Sequence, residues 1–275
     1  MTVPDFQFIT DGVRCIPVRT PTLPPATHTN VWILGEHHVT VVDPGSPYPD
    51  EQERLDYILE TVLVERIVLT HHHADHISGA IALKSTTGAR IAAHPLTQQR
   101  IDFDVDDTLT EDDVLATDAG FWRVFHTPGH ASGHICLHNP GISTLVMGDM
   151  VAGIGTILLD PPEGDLGLYL HSLNLLRDLQ PKRLLPAHGP VIDNAVGCLN
   201  EYINHRHTRT EQIAKSLAEI GTASPLTIAN RIYGTQVPDA FMPVAARQVL
   251  THLNWLVAQN RAVVDNNKQF SAKES

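Results

Sequence analysis

Apolar and polar positions along the chain fall into two rhythms that take turns. Short β-branched runs at residues 31–34, 39–42, 67–70, 90–93, 122–126, 135–138, 144–147 and 183–185, each bounded by turn residues, predict strands. Between them, residues 50–63 carry Leu55, Ile58, Leu59 and Val62 at helical spacing behind an acidic first turn. Residues 166–179 repeat that rhythm with Leu166, Leu170, Leu173, Leu176 and Leu179. Strands interleaved with helices predict α/β layers. From about Leu199 the pattern turns to helices only, over 199–220, 227–232 and 243–258, the last with Val249, Leu253 and Leu256 on one face.

Charge changes at the same place. Residues 1–195 hold 11 Lys+Arg against 25 Asp+Glu (−14), and residues 196–275 hold 8 against 6 (+2). The division predicts a catalytic-type domain over 1–195 and a smaller helical one over 196–275. No Gly/Ser-rich linker separates them, so the two are expected to dock.

Composition narrows the class. A 275-residue chain that is 42% hydrophobic can bury a sizeable core, and a net charge of −12 argues against a DNA-coating protein. Cys15, Cys136 and Cys198 form no closely spaced pair, which excludes a disulfide framework and a thiolate zinc finger and points to a reducing, cytoplasmic setting. The first ten residues lack the pattern of a signal peptide, and no run of about 18 apolar residues is present, so no membrane partner is expected. The acidic run 102–113 has Asp107 and Asp113 where a calcium loop needs Gly and Glu, so it reads as a solvated surface. There is no Gly-x-Ser-x-Gly elbow, no Ser-x-x-Lys and no P-loop.

The feature that stands out is 17 His against 19 Lys+Arg. Four ligand-type residues, His71, His73, Asp75 and His76, follow the apolar run 67–69 directly, at the strand end where α/β folds place ligands. Alternation sets His71 and His73 on one side of the extended segment, while His72 points away. Imidazole with carboxylate is a zinc-like donor set. Three later strand ends carry further candidates: His130 in His-Thr-Pro-Gly-His, Asp149 in Gly-Asp, and His188 in Pro-Ala-His-Gly-Pro.

In this order the residues resemble the metallo-β-lactamase superfamily pattern HxHxDH…H…D…H. The segments Gly148-Asp149-Met150, Gly155-Thr156, Tyr169, Leu185-Pro186-Ala187-His188-Gly189-Pro190 and Tyr202-Ile203-Asn204-His205-Arg206 resemble in particular the subgroup of β-lactamase-like endoribonucleases and fungal polyketide thioesterases. The resemblance implies an αββα sandwich with a winged-helix-like carboxyl-terminal domain and a site for two divalent metal ions. It assigns His71, His73 and His130 to one ion, Asp75, His76 and His188 to the other, and Asp149 to the bridge. Donor type favours zinc, with manganese or iron as alternatives. The chain departs from glyoxalase II, because residues 154–162 have no Lys, Arg or Tyr where glutathione would bind, and it also carries an unexplained His134.

The implied chemistry is hydrolysis by a hydroxide shared between ions roughly 3.5–4 Å apart, with Asp75 orienting it and receiving its proton. A small acyl compound (thioester, ester or lactone) is the expected substrate. Single-stranded RNA is an alternative partner, and a non-hydrolytic metal or redox protein a third reading. Asp43, in Asp-Pro-Gly, is a candidate brace for the ligand loop. His94 and His126 read as core or rim residues, His37 and His38 as a hairpin turn, and His205, Arg206, His207 and Arg209 as solvated helix surface.

Overall fold

The computed structural model describes residues 6–234 and 236–273; the start of the segment without a signal-peptide pattern, residues 1–5, lies outside them. The first sheet takes seven strands in chain order: β1 (Gln7–Thr10), β2 (Val13–Arg19), β3 (His28–Leu34), β4 (His38–Val42), β5 (Leu63–Leu69), β6 (Arg90–Ala93) and β7 (Asp107–Thr108). Helices α1 (Pro49–Leu59), α2 (Ala74–Ile77), α3 (Ala80–Thr87) and α4 (Pro95–Gln98) connect its later strands. The second sheet contains β8 (Val114–Thr117), β9 (Gly120–His126), β10 (Ile135–Asn139), β11 (Thr144–Gly148) and β12 (Arg183–Pro186), in the order β12-β11-β10-β9-β8. Helix α5 (Leu166–Asp178) makes the crossover between parallel β11 and β12.

Period-two alternation sorts the side chains into layers. On β2 and β3, Ile16, Val18, Val31 and Ile33 meet Leu55 and Leu59 of α1 and Leu83 of α3. Their neighbours Val13, Cys15, Trp32 and Leu34 face Val124, Ile135, Leu137 and Val146 of the second sheet. The far side of that sheet, with Leu145 and Met147, packs on Leu166, Leu170, Leu173 and Leu176 of α5. Three apolar clusters separate four layers, helix, sheet, sheet, helix, and this is the αββα sandwich. The acidic run obeys the same alternation. Ile101, Phe103 and Val105 turn to the core while Asp102, Asp104 and Asp106 are exposed.

The predicted helix over 50–63 stops at Leu59, because Leu63 and Val64 instead extend β5 into parallel register with His38 and Val39. The short α3 escaped the pattern reading, its buried side being only Ala80 and Leu83.

The last third is not helices only. α6 (Ala195–Ile220), α7 (Pro225–Tyr233) and α8 (Met242–Ala258) are joined by a three-stranded antiparallel sheet of β13 (Thr222–Ala223), β14 (Ala262–Val264) and β15 (Phe270–Ala272). Strands of two or three residues are too short to display alternation, which is why the sequence pattern hid them. α6 serves two clusters. Leu199 and Ile203 complete the core under α5, whereas Ile213 and Leu217 belong with Ile228, Val249, Leu253 and Phe270. No helix among the described residues is long and apolar enough to cross a membrane.

Candidate metal centre

β4 and β5 run parallel in the first sheet and β9, β11 and β12 share one direction in the second, and the residues that follow these strands meet at one rim of the sandwich. The two sheets are tied at this rim by Ile135 N–H to Thr70 O (2.9 Å) and Asn30 N–H to Ala187 O (2.7 Å). Asn30 Nδ2 also donates to Pro186 O (2.9 Å) and Gly189 O (2.8 Å), holding the loop that carries His188. Asp43 ends β4 with φ of 53° and is 1% exposed. Its carboxylate accepts from Thr70 N–H (2.8 Å), Thr70 Oγ1 (2.7 Å) and His76 Nδ1 (2.8 Å). The expected brace is therefore in place. At Gly148, φ is 47° and a Cβ would stand 2.5 Å from His134 Nε2. Only glycine lets the chain pass there before Asp149.

The structure brings all seven predicted residues together, in two groups. In the first, His73 Nδ1 lies 2.9 Å from His71 Nε2 and 3.0 Å from His130 Nε2, with 3.3 Å between the latter two. In the second, His188 Nε2 is 3.5 Å from Asp75 Oδ2, and His76 Nε2 is 3.9 Å from Asp75 Oδ1. Asp149 spans both, with Oδ2 3.5 Å from His130 Nε2 and Oδ1 3.4 Å and 3.6 Å from His188 and His76 Nε2.

The outward ring nitrogens identify what faces inward. Nδ1 of His130, His188 and His76 point at Leu158 O (2.8 Å), His28 O (3.0 Å) and Asp43 Oδ2 (2.8 Å). Each of these is an acceptor without a proton, so Nδ1 must carry a hydrogen, and Nε2 is the nitrogen whose lone pair a neutral ring turns inward. His71 Nδ1 faces Thr70 Oγ1 (3.1 Å), whose own proton goes to Asp43. The first group thus turns three nitrogens on one another with at most one proton among them. Buried His76 Nε2 and Asp149 Oδ1 have no hydrogen-bond partner. Converging lone pairs and orphaned acceptors are what a divalent cation satisfies, and donors about 2.0–2.1 Å from a tetrahedral ion stand roughly 3.3 Å apart. The residues present fit such ions.

Electrostatics agree. Burial pushes the pKa of His71, His73 and His130 down, His73 to about 3, so these rings stay neutral donors. Burial would also depress His76 and His188. At His76 the charges of Asp43, Asp149 and Asp75 override it, and at His188 the hydrogen bond to Asp75 and the charge of Asp149 do, raising both. For Asp75 and Asp149 burial favours the neutral acid, but the neighbouring histidines, led by His76, hold both carboxyls well below their ordinary range. Protons on His76 and His188 thus balance the carboxylates of Asp75 and Asp149, and a divalent ion would take the place of those protons.

Other histidines find different places. His72 turns to Glu163 (3.3 Å), and together with His73 these form a further group of ligand-type atoms. His94 and His126 stack with centroids 4.1 Å apart. His134, buried, donates from Nδ1 to Thr127 Oγ1 (2.9 Å) and accepts Asp149 N–H on Nε2 (3.0 Å), so it sets the main chain of the bridging residue. Its presence was visible in the sequence, but its task was not. The solvated-surface reading of 205–209 needs one correction. His205 and His207 are exposed, but Arg206 is buried under residues 150–160, because its helix face packs inward onto Tyr169.

The sequence profile of the Metallo-beta-lactamase superfamily matches residues 24–188, a span that includes all seven residues. The chain is 30% identical over 259 residues to the Beta-lactamase-like protein 2 homolog of Drosophila melanogaster, covering 87% of this chain and 85% of that protein. Its fold matches a Beta-lactamase domain protein from Burkholderia ambifaria with a TM-score of 0.87 at 21% identity, over 98% of this chain and 93% of that one. It also resembles the crystal structure of TTHA1623 in a di-iron-bound form, with a TM-score of 0.53 and 27% identity over 65% of this chain and 96% of that one.

Proposed function

This chain belongs to the metallo-beta-lactamase superfamily and is a hydrolase of that superfamily, and from that premise we propose that it cleaves a small acyl substrate, a thioester, ester or lactone, with two divalent ions. The observation that carries the reading is the pair of donor groups joined by Asp149, partly open to solvent at Asp75 (16% exposed side chain). His71, His73 and His130 would hold one ion, Asp75, His76 and His188 the other, and Asp149 would touch both. Ions held there acidify water toward a pKa of about 7 and polarise a carbonyl oxygen.

The chain's own groups do the rest. Asp75, kept ionised, offers a carboxylate oxygen to take a proton from attacking water, which a ligating imidazole cannot do. The outward bonds of His76, His130 and His188 fix a proton on Nδ1 and aim Nε2 inward, so that Nε2 is the atom each ring would offer an ion. A cavity of about 820 Å³ lies beside the His188 loop, with Pro25, Trp32, Ile154 and Val191 in its wall together with Glu51 and Arg54; none of the seven candidate ligands lines it. Single-stranded RNA would need cations at the rim. Arg206 is buried and Arg209 stacks on Tyr233 (4.6 Å), so neither supplies them, and exposed Arg100 is the cation felt at His72 and Glu163; one rim arginine favours the acyl reading over a polyanion. Donor chemistry favours zinc, and a relative solved with di-iron makes iron the alternative.

The test is a panel of chromogenic thioesters, esters and lactones given to metal-loaded protein. Cleavage is expected, lost on chelation and lowered about 10²–10⁴-fold in Asp75→Ala. A panel left untouched while single-stranded RNA is cut would overturn the acyl assignment. An unchanged rate after both ions are stripped would overturn hydrolysis by this site.

A further inference from the structure

Residues 150–159 leave the site at Asp149 and return to it beside His130. Tyr169 Oη donates to Met150 O (2.7 Å), and Tyr202 Oη bonds both the N–H (3.0 Å) and the carbonyl (3.1 Å) of Ala152. Residues 154–156 are exposed, and then Ile157 and Leu159 are buried again. Between those two, the Leu158 carbonyl is the acceptor of His130 Nδ1–H (2.8 Å).

The side chains that fix this return point come from the carboxyl-terminal helices. Arg206 Nη2 on α6 donates to Ile157 O (2.6 Å). On α8, Gln248 receives Leu159 N–H on Oε1 (3.0 Å) and donates Nε2 to Leu159 O (3.1 Å), and Thr251 Oγ1 donates to the same oxygen (2.6 Å). Arg206 is 5% exposed, and among the described residues no carboxylate pairs with it. It lies over the Tyr169 ring, 5.2 Å from the centroid. A buried cation is costly to keep, and this one is directed at one main-chain carbonyl next to the acceptor of a candidate ligand.

We propose that α6 and α8 position His130: Arg206, Gln248 and Thr251 hold the strap, the strap holds the Leu158 carbonyl, and that carbonyl sets the tautomer and rotation of the ring. The inference rests on the reading that His71, His73 and His130 hold a cation. If the carbonyl drifts, the ring is free to turn and Nε2 leaves its place 3.0 Å from His73 Nδ1. These are positioning residues and touch no substrate. Losing the direct hydrogen-bond partner of a ligating histidine weakens metal binding about 10–100-fold, and because these residues act one bond behind that partner the lower end is expected.

The experiment uses the full chain and zinc alone, in competition with a chromogenic chelator, with the urea midpoint recorded for each variant. The wild type is expected to bind two equivalents. The double variant Gln248→Ala/Thr251→Val should bind one of them at least about tenfold more weakly, with the other unchanged. Arg206→Met should do the same, and Arg206→Lys, which keeps one donor for Ile157 O, should recover most of the loss. If Arg206→Met does not fold, the single variant Gln248→Ala decides by the same criterion. Two equivalents at wild-type affinity in the folded variants would overturn the positioning role alone, as would equal weakening of both. A wild type that binds no zinc would overturn the metal reading and this inference with it.

Discussion

Asp43→Asn separates the chemistry of the brace from its backbone. Asparagine tolerates the left-handed conformation that Asp43 adopts at φ 53°, so the main chain has no reason to move. The carboxylate accepts three bonds of 2.7–2.8 Å, and an amide can accept at one oxygen only. If its NH2 group takes the place of Oδ2, Thr70 can rotate its hydroxyl, but His76 Nδ1 must give up its hydrogen. The proton then moves to Nε2, the atom aimed at the second donor group. Bonds to a charged acceptor contribute about 1.5–3 kcal/mol each, and two are altered, so a loss of about 3–6 kcal/mol is expected. At roughly 2–4 °C per kcal/mol for a chain of this size, calorimetry in chelator should show a melting point lower by about 6–24 °C. Zinc competition should show about 10–100-fold weaker binding of one equivalent, that of Asp75, His76 and His188. Wild-type affinity for both equivalents in a folded variant would refute the argument that Asp43 sets the His76 tautomer.

Two further outcomes follow from buried positions. Gly148→Ala should cost about 2–4 kcal/mol in urea unfolding, from a left-handed alanine plus a methyl 2.5 Å from His134 Nε2; a loss under 1 kcal/mol would show that the His134 ring yields freely. His252 is buried on α8 against Thr210, and burial lowers its pKa to about 3. Its folded pKa lies below the unfolded value near 6.5, so the unfolded chain binds the extra proton, and stability falls as pH drops from about 6.5 toward 3. By pH 5 this amounts to about 2 kcal/mol. His252→Gln should flatten the stability profile over that interval, and a slope equal to the wild type would refute the assignment.

The part of the site legible in the sequence was the part carried by side-chain type. His71, His73, Asp75 and His76 sit within one loop after an apolar strand, and His130, Asp149 and His188 each follow another strand end, so strand-end bookkeeping alone gathers them. Asp43 was readable as a turn aspartate with a possible task. By contrast, the acceptors that orient the rings are mostly main-chain carbonyls, Leu158 O for His130 and His28 O for His188. Every residue has a carbonyl, so no residue type announces them. Arg206 misled for a related reason: an arginine among polar neighbours on a helix reads as surface, and only the packing of α6 shows that its face is covered.

The sequence by itself therefore determined the α/β class, through periodicity of two in the strands and nearly four in α1 and α5, and the donor chemistry, through residue identity at strand ends, while the αββα layer order was implied by the family resemblance. Tertiary structure set donors from four strand ends into the two groups around Asp149 that the resemblance implied, and it alone decided which tautomer each ring holds and how α6 and α8 reach back to the strap beside His130. Contacts that set them join residues 28 to 160 positions apart. They depend on directional bonds of about 3 Å, whose geometry local patterning does not encode.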